Sequence, residues 1–242
     1  FRNVTGVQTC ALPIYALDPL YRALAIDDRL AEAHFLLGVC LRDQRRTADA
    51  TRSLQRAVAL NPALAAAREE LAGLYEAAGR TRDYLEQLEA LAELEPTRAE
   101  RLVSVGAAYA RAGRIDAAVA TLSRAAERYP DEPGVSTELG RLWIEVAGDE
   151  GERGAVSKAL NALQPAATRA SASSDTLTLY GRALLLSGDA DAAELVLQQA
   201  VTRSPTEPEA YLYLARAAQR LRHASIAAGA AARYAALTDA NP

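Results

Sequence analysis

The chain has 242 residues, half of them apolar but only 5% aromatic, with 27 basic and 31 acidic side chains and a net charge of −4. So even a balance gives no broad electrostatic reason to bind nucleic acid or an anionic membrane surface. No apolar run approaches the roughly 20 residues that a membrane-spanning helix needs, so a soluble chain is expected, cytoplasmic or periplasmic, with a core of alanine and leucine.

Residues 1–14, FRNVTGVQTCALPI, mix β-branched residues with Gly6 and Pro13 and show no helical period. The string from Val4 to Ile14 looks like the translation of a sequencing-adapter read, a contaminant of assembled metagenomic data, so this stretch is expected to be non-native and disordered. The chain contains no methionine, which fits a fragment, and its alanine- and arginine-rich usage points to a GC-rich bacterial genome. Residues 15–30 carry Ala16, Leu20 and Ala23 at helical spacing and close at Asp27 and Asp28, as the second helix of a truncated unit would.

Residues 31–64 form the first complete unit. Leu37 and Leu41 share one helical face beside Gly38, while Ala50, Leu54 and Ala57 make a matching stripe on a second helix. A glycine inside a helix costs about 1 kcal/mol against alanine, so Gly38 is expected to let the two helices approach closely. Asn61 and Pro62 stop the second helix, because proline lacks a backbone donor and disfavours helical geometry in the residue before it. The marks recur 34 residues on in 65–98, at Leu71, Ala72, Tyr75, Gly79 and Leu88, with Tyr84 and Leu91 where small alanines are expected. In 99–132 they fall at Val105, Gly106, Tyr109, Gly113, Ala118, Leu122, Ala125 and Pro130.

The unit 133–173 keeps Leu139, Gly140 and Trp143, but its second-helix marks Ala159, Leu163 and Ala166 come seven residues late. The extra residues are placed in an exposed loop near 147–154, AGDEGERG, and Ser171–Ser174 is read as a loose connector. Register returns in 174–207, with Tyr180, Gly181, Leu184, Gly188, Ala193, Leu197, Ala200 and Pro205. It continues in 208–242, with Tyr211, Leu214, Ala215, Ala218, Ala227 and Ala231, where Tyr234 holds the final alanine's place. One helix pair cannot bury its apolar stripe alone, so the copies must stack into one continuous solenoid over 15–242. Both ends are expected to be cut from a longer protein.

These residues resemble the tetratricopeptide repeat, whose 34-residue pattern sets an aromatic, Leu-Gly, Tyr, Ala, an aromatic or Leu, Ala and Pro in this order; the likeness covers about six and a half repeats. The resemblance implies an all-α solenoid of antiparallel helix hairpins in a right-handed superhelix, with the first helices lining a concave wall. It also implies ligand-facing side chains at the second, fifth, ninth, twelfth and thirteenth positions of each first helix.

Candidates for chemistry are few. His34 holds an aromatic position and is read as packing; His223 lies in a helix-to-helix turn beside Arg220 and Arg222; Cys40 is read as an apolar filler. Gly148, Gly151 and Gly154 are interleaved with Asp149, Glu150 and Glu152, which would repel phosphate, and the acids lack the alternating spacing of a calcium loop. Paired carboxylates such as Glu69 with Glu70 are read as solvated helix faces. The sequence therefore points to no catalytic residue, no cofactor and no metal site, and to a non-enzyme.

Binding remains. The ninth positions read Val39, Gly73, Ala107, Arg141, Arg182 and Arg216, with Arg111, Glu145 and Arg220 at thirteenth positions. Arginines spaced along a groove suit the carboxylates or carbonyls of an extended segment. The alternative is that they pair with Glu138, Glu145, Asp175 and Glu209 on neighbouring helices. The lysine and asparagine set by which relatives clamp a terminal carboxylate is missing. The expected function is a protein–protein interaction scaffold that binds a protein or extended peptide, with no nucleic acid and no membrane insertion. Two other readings stand beside it: a non-catalytic arm of a larger bacterial glycosyltransferase or sulfotransferase, and an envelope assembly factor.

Overall fold

The computed structural model describes residues 13–148, 151–204 and 206–239. They form thirteen α-helices, and among the described residues there is no strand, so the chain is all-α as its repeat spacing implies. None of these helices is long and apolar enough to cross a membrane. The stretch expected to be non-native lies outside the described residues as far as Leu12; helix begins at Pro13. The chain divides into two units, residues 1–108 and 109–242, and the division falls within one helix.

Unit 1 contains α1 (Pro13–Ile26), α2 (Ala31–Asp43), α3 (Thr47–Leu60), α4 (Ala65–Ala77), α5 (Thr81–Leu94) and most of α6 (Ala99–Arg111). α2 pairs with α3 and α4 with α5, while α1 lies against α2 and α3 against α4. Hairpins thus stack on hairpins. The shared core holds Leu37, Leu41, Ala50, Leu54, Ala57, Leu71 and Tyr75, and Leu17, Leu20 and Leu24 of α1 lean on it. Gly38 has the packing role its spacing implies: a Cβ there would lie 2.5 Å from Leu54 Cγ, well short of van der Waals contact distance. A leucine of the second helix is seated in the notch that the glycine leaves.

Unit 2 contains the end of α6, then α7 (Ile115–Arg128), α8 (Pro133–Ala147), α9 (Arg153–Ala167), α10 (Ser174–Ser187), α11 (Ala190–Ala200), α12 (Pro208–Arg220) and α13 (Ala224–Asp239). The hairpins are α8 with α9, α10 with α11 and α12 with α13, and α10 also touches the first helices α8 and α12 on either side. The glycine–leucine seat recurs. A Cβ on Gly181 would meet Leu197 Cγ at 2.5 Å, and Gly140 is filled in the same way by Leu163. The second-helix marks Ala118, Leu122, Ala125, Ala159, Leu163, Ala166, Ala193, Leu197 and Ala200 are all 1% exposed or less.

The hairpin turns share one device. A residue with positive φ ends the first helix, and the next amide reaches back to a carbonyl of the last turn. Thus Arg80 N donates to Tyr75 O (2.8 Å) past Gly79 (φ 66°), and Asp189 N donates to Leu184 O (3.0 Å) past Gly188 (φ 93°). In two turns the position is held by arginine: Arg45 (φ 61°) and Arg222 (φ 62°).

Three local expectations change in part. Of the described residues in 147–154, Ala147, Arg153 and Gly154 are helical while Gly148, Gly151 and Glu152 lie between the helices, so most of the added length goes into longer helices and the loop is shorter than expected. Ala147 is buried beside Ala155 and Val156, α8 runs four residues past Trp143 where α2 runs two past Leu41, and α9 starts six residues before Ala159 where α3 starts three before Ala50. Only residues 148–152 connect the two helices, because the added residues can bury Val156 against Trp143, Leu160 and Leu186. Ser171–Ser174 is no loose connector either. Ser173 accepts from Thr176 N, and buried Ser174 Oγ donates to Ala200 O (3.0 Å) and accepts from Glu207 N (3.1 Å), joining α10 to the end of α11 and the start of α12. In the second helix of the last repeat the buried alanines are Ala227 and Ala230, whereas Ala231 is exposed.

Candidate functional site

The site candidates lie mainly on the first helices of unit 2. Arg141 of α8 donates through Nη2 to both carboxylate oxygens of Asp175 on α10 (2.8 and 2.7 Å), and its Nε reaches Glu138 at 3.3 Å. Burial works against the Arg141 charge, but the hydrogen bonds and charge of Asp175, then of Glu138, outweigh it and raise its pKa. Arg141 is therefore neutralised within the stack, as the pairing alternative has it.

Arg182 of α10 and Arg216 of α12 behave differently. Both guanidinium groups lie over the ring of Tyr213, at 5.6 and 5.4 Å from its centroid, and neither makes an ion pair with a described carboxylate. Glu209, the repeat counterpart of Asp175, is exposed and leaves Arg182 alone. The residue one repeat before Tyr213 is Leu179, which presents no π face. The choice between carboxylate and ring thus follows from a leucine-to-tyrosine change on the adjacent helix. The result is a strip bearing two positive charges around one aromatic ring, in which Arg216 is exposed and Arg182 and Tyr213 are half-buried.

The other residues are dispersed. Arg220 Nη1 donates to Leu185 O at 2.6 Å, at the C-terminal end of α10. Glu145 is exposed near the end of α8, and Arg111 is exposed at the end of α6. In unit 1, Glu70 pairs with Arg42 of α2 and Glu69 with Arg101 of α6, so these carboxylates link neighbouring repeats rather than only facing solvent. The Arg101 side chain is 14% exposed and also holds Glu95 at 2.5 Å.

The histidines are structural. His34 Nε2 lies 3.0 Å from Asp28 O, and His223 Nδ1 lies 2.8 Å from Glu194 Oε2, a buried carboxylate on α11 that Gln198 also contacts. The pairing of His223 with Glu194 was not legible from the turn sequence. Glu152 caps α9: its carboxylate accepts from Ala155 N (2.7 Å) and Gly154 N (2.9 Å), and these backbone bonds, Ala155 first, hold its pKa below the ordinary value. No group of three His, Cys, Asp or Glu side chains suited to a metal occurs among the described residues.

Stacked helix hairpins held by glycine–leucine seats, with a charged strip on the first helices, define a helical-repeat scaffold. Models of the tetratricopeptide repeat match residues 31–64, 99–142 and 174–217, about half of the chain. The chain belongs to the tetratricopeptide repeat family. Among solved structures, PilF of Pseudomonas aeruginosa is similar with a TM-score of 0.64 at 16% identity, over 87% of this chain and 92% of that one. A chain of the APC/C hetero-tetramer Cut9–Hcn1 aligns with a TM-score of 0.61 at 16% identity; 96% of this chain covers 44% of that one, less than half its length. YrrB, described as a TPR protein with an unusual peptide-binding site, aligns with a TM-score of 0.57 at 15% identity over 79% of this chain and 95% of that one. At these identities the likeness is one of fold. No curated protein sequence matches the chain.

Proposed function

We propose that this chain is a protein-interaction scaffold that captures an extended, acidic peptide segment along the first helices of unit 2, the wall that is concave in the family's superhelix. Arg182, Tyr213 and Arg216 form the anchor. The observation that carries this reading is the contrast among three arginines at equivalent repeat positions: Arg141 is spent on Glu138 and Asp175, while Arg182 and Arg216 keep their charge on a tyrosine ring without a carboxylate. A guanidinium stacked on a ring is held in place and retains in-plane N–H donors for an incoming carboxylate. The ring adds apolar area for the neighbouring peptide side chains.

The test is selection of displayed peptides on the wild-type chain and on the double variant Arg182→Glu/Arg216→Glu. The wild type should enrich Asp- and Glu-rich sequences and the variant should lose them, with far-ultraviolet circular dichroism unchanged. Retention of the same sequences by the variant overturns the reading.

A further inference from the structure

The contacts between successive first helices of unit 2 differ in how they spend charge. From α8 to α10, the ninth-position arginine pairs with the second-position acid of the next repeat, Arg141 with Asp175. From α10 to α12 the corresponding residues are Arg182 and Glu209, and they form no ion pair. Arg182 lies over the ring of Tyr213, and Glu209 is exposed without a hydrogen bond or ion pair to any described side chain. One contact consumes a cation and an anion; the next leaves both open to a ligand.

Both signs also fall on one face of α12. Glu209 and Arg216 are seven residues apart, two helical turns, so they leave the same side of the helix about 10 Å apart along its axis. Leu212 and Tyr213, both half-buried, lie between them on that side. An acid in the first turn suits the helix dipole whichever way it points. The dipole accounts for the residue type at 209 but not for its sharing a face with Arg216 and lacking a basic partner.

The other charged side chains around α12 leave this polarity in place. Glu207, the N-cap residue, adds a second carboxylate at the acidic end, and Arg203 before it directs Nη2 to Ala170 O. On α11, Glu194 is buried against His223 and Gln198, and Asp191 is exposed. On α13, Arg233 and Asp239 are exposed and opposite in sign. Arg220, one turn beyond Arg216, donates to Leu185 O and shares a cleft with the α8–α9 connection, which carries Asp149, Glu150 and Glu152. The cationic end of the row is therefore Arg182 and Arg216 alone.

We infer that the partner segment is of mixed charge, with an Asp or Glu at Arg182 and Arg216 and a Lys or Arg at Glu209. An extended chain advances about 3.3 Å per residue, so a gap of about 10 Å sets the base about three residues from the acid. The order of the two charges along α12 fixes which way round the segment lies. This inference rests on the reading of Arg182, Tyr213 and Arg216 as a peptide anchor, and it adds Glu209 as the residue that selects the second charge.

The experiment is selection from displayed heptapeptides with Glu fixed at the centre and the other positions random, on the full chain and on Glu209→Gln and Glu209→Lys. A companion library has Gln at the centre. The wild type should enrich Lys or Arg two to four residues from the fixed Glu, on one side of it, about two- to fivefold over the starting library, the weight of an exposed ion pair. Glu209→Gln should lose that enrichment, and Glu209→Lys should replace it with Asp or Glu at the same offset. Residue 209 is exposed, so both variants should keep the wild-type circular dichroism. Preference for the Glu library without a base at any offset, or a base preference that survives Glu209→Lys, overturns the inference and leaves the anchor standing. Equal capture of the Glu and Gln libraries removes the anchor, and the inference with it.

Discussion

Replacing Arg222 by glycine should make the protein more stable, although it removes a charged side chain and touches no core residue. Arg222 stands at φ 62°, one repeat after Gly188 at φ 93°, and the amide that follows it closes the turn through His223 N to Ala218 O at 2.8 Å. A side chain with a Cβ costs about 1–2 kcal/mol in that left-handed region. Glycine returns about 0.5–1 kcal/mol of this through its greater chain entropy in the unfolded state. No hydrogen bond or ion pair of the Arg222 side chain is lost among the described residues. The net gain is therefore about 0.5–1 kcal/mol, which for a chain of this length is a rise of roughly 1–4 °C in melting temperature. Calorimetry of Arg222→Gly beside the reverse change Gly188→Ala tests the reasoning. The second variant should lose about 1 kcal/mol or more, since the open space around Gly188 leaves backbone strain as the only cost. A neutral or destabilising Arg222→Gly together with a tolerated Gly188→Ala would refute it.

Gly181→Ala should destabilise by about 1–3 kcal/mol, because its Cβ would fall 2.5 Å from Leu197 Cγ, and urea denaturation of a cycle with Leu197→Ala should show coupling of at least about 0.5 kcal/mol as the smaller partner makes room. Ser174→Ala should cost about 1–3 kcal/mol by stranding the Glu207 amide and the Ala200 carbonyl, and hydrogen exchange should show the Glu207 amide losing protection first. For Glu152 the folded-state pKa is depressed, so its contribution to stability is fully present above the ordinary glutamate value of 4.5 and is lost as pH falls through the lower folded value. Glu152→Gln should flatten the acid limb of the stability–pH curve in that range, while an unchanged limb would show that the cap carries no charge-dependent stabilisation.

The parts of the fold that could be read from sequence are those where a side chain's size is fixed on all sides. Ala50, Leu54 and Ala57 are each 0% exposed, so a change of size is felt at once, and the same trio returns as Ala118, Leu122 and Ala125 and as Ala193, Leu197 and Ala200, with Tyr84 and Leu91 as the larger exceptions. Gly38, Gly140 and Gly181 were legible for the complementary reason, since each receives a leucine from the partner helix. Arg45 and Arg222 were not, because an arginine reveals its left-handed backbone only once the turn is seen, whereas Gly79 and Gly188 announce it. Ser173 and Ser174 read as connector residues because a serine-rich run is polar whether solvated or buried. Their partners are distant in sequence: Ser174 Oγ meets Ala200 O and Glu207 N, and Thr176 Oγ1, beside Ser173, meets Thr137 Oγ1 at 2.9 Å from 39 residues away.

The candidate site was legible as a set of positions but not as a set of roles. Arg141, Arg182 and Arg216 share the ninth position of their first helices, and position alone predicts one behaviour for all three. Their behaviour differs because each guanidinium responds to its neighbour on the next repeat: Asp175 accepts two bonds from Arg141, whereas Tyr213 offers a ring face to Arg182. None of these side chains takes part in the glycine–leucine seats that hold the hairpins together. Exchanging the exposed Glu209 for another polar residue would thus alter the charge pattern with little effect on the stack, since surface changes of this kind stay within about 0.5 kcal/mol, whereas Tyr213 also packs against the core of unit 2. A scaffold whose cohesion lies in one set of positions and whose charge pattern lies in another can change ligand without changing fold, and the contrast between Arg141 and Arg182 is that separation seen within a single chain.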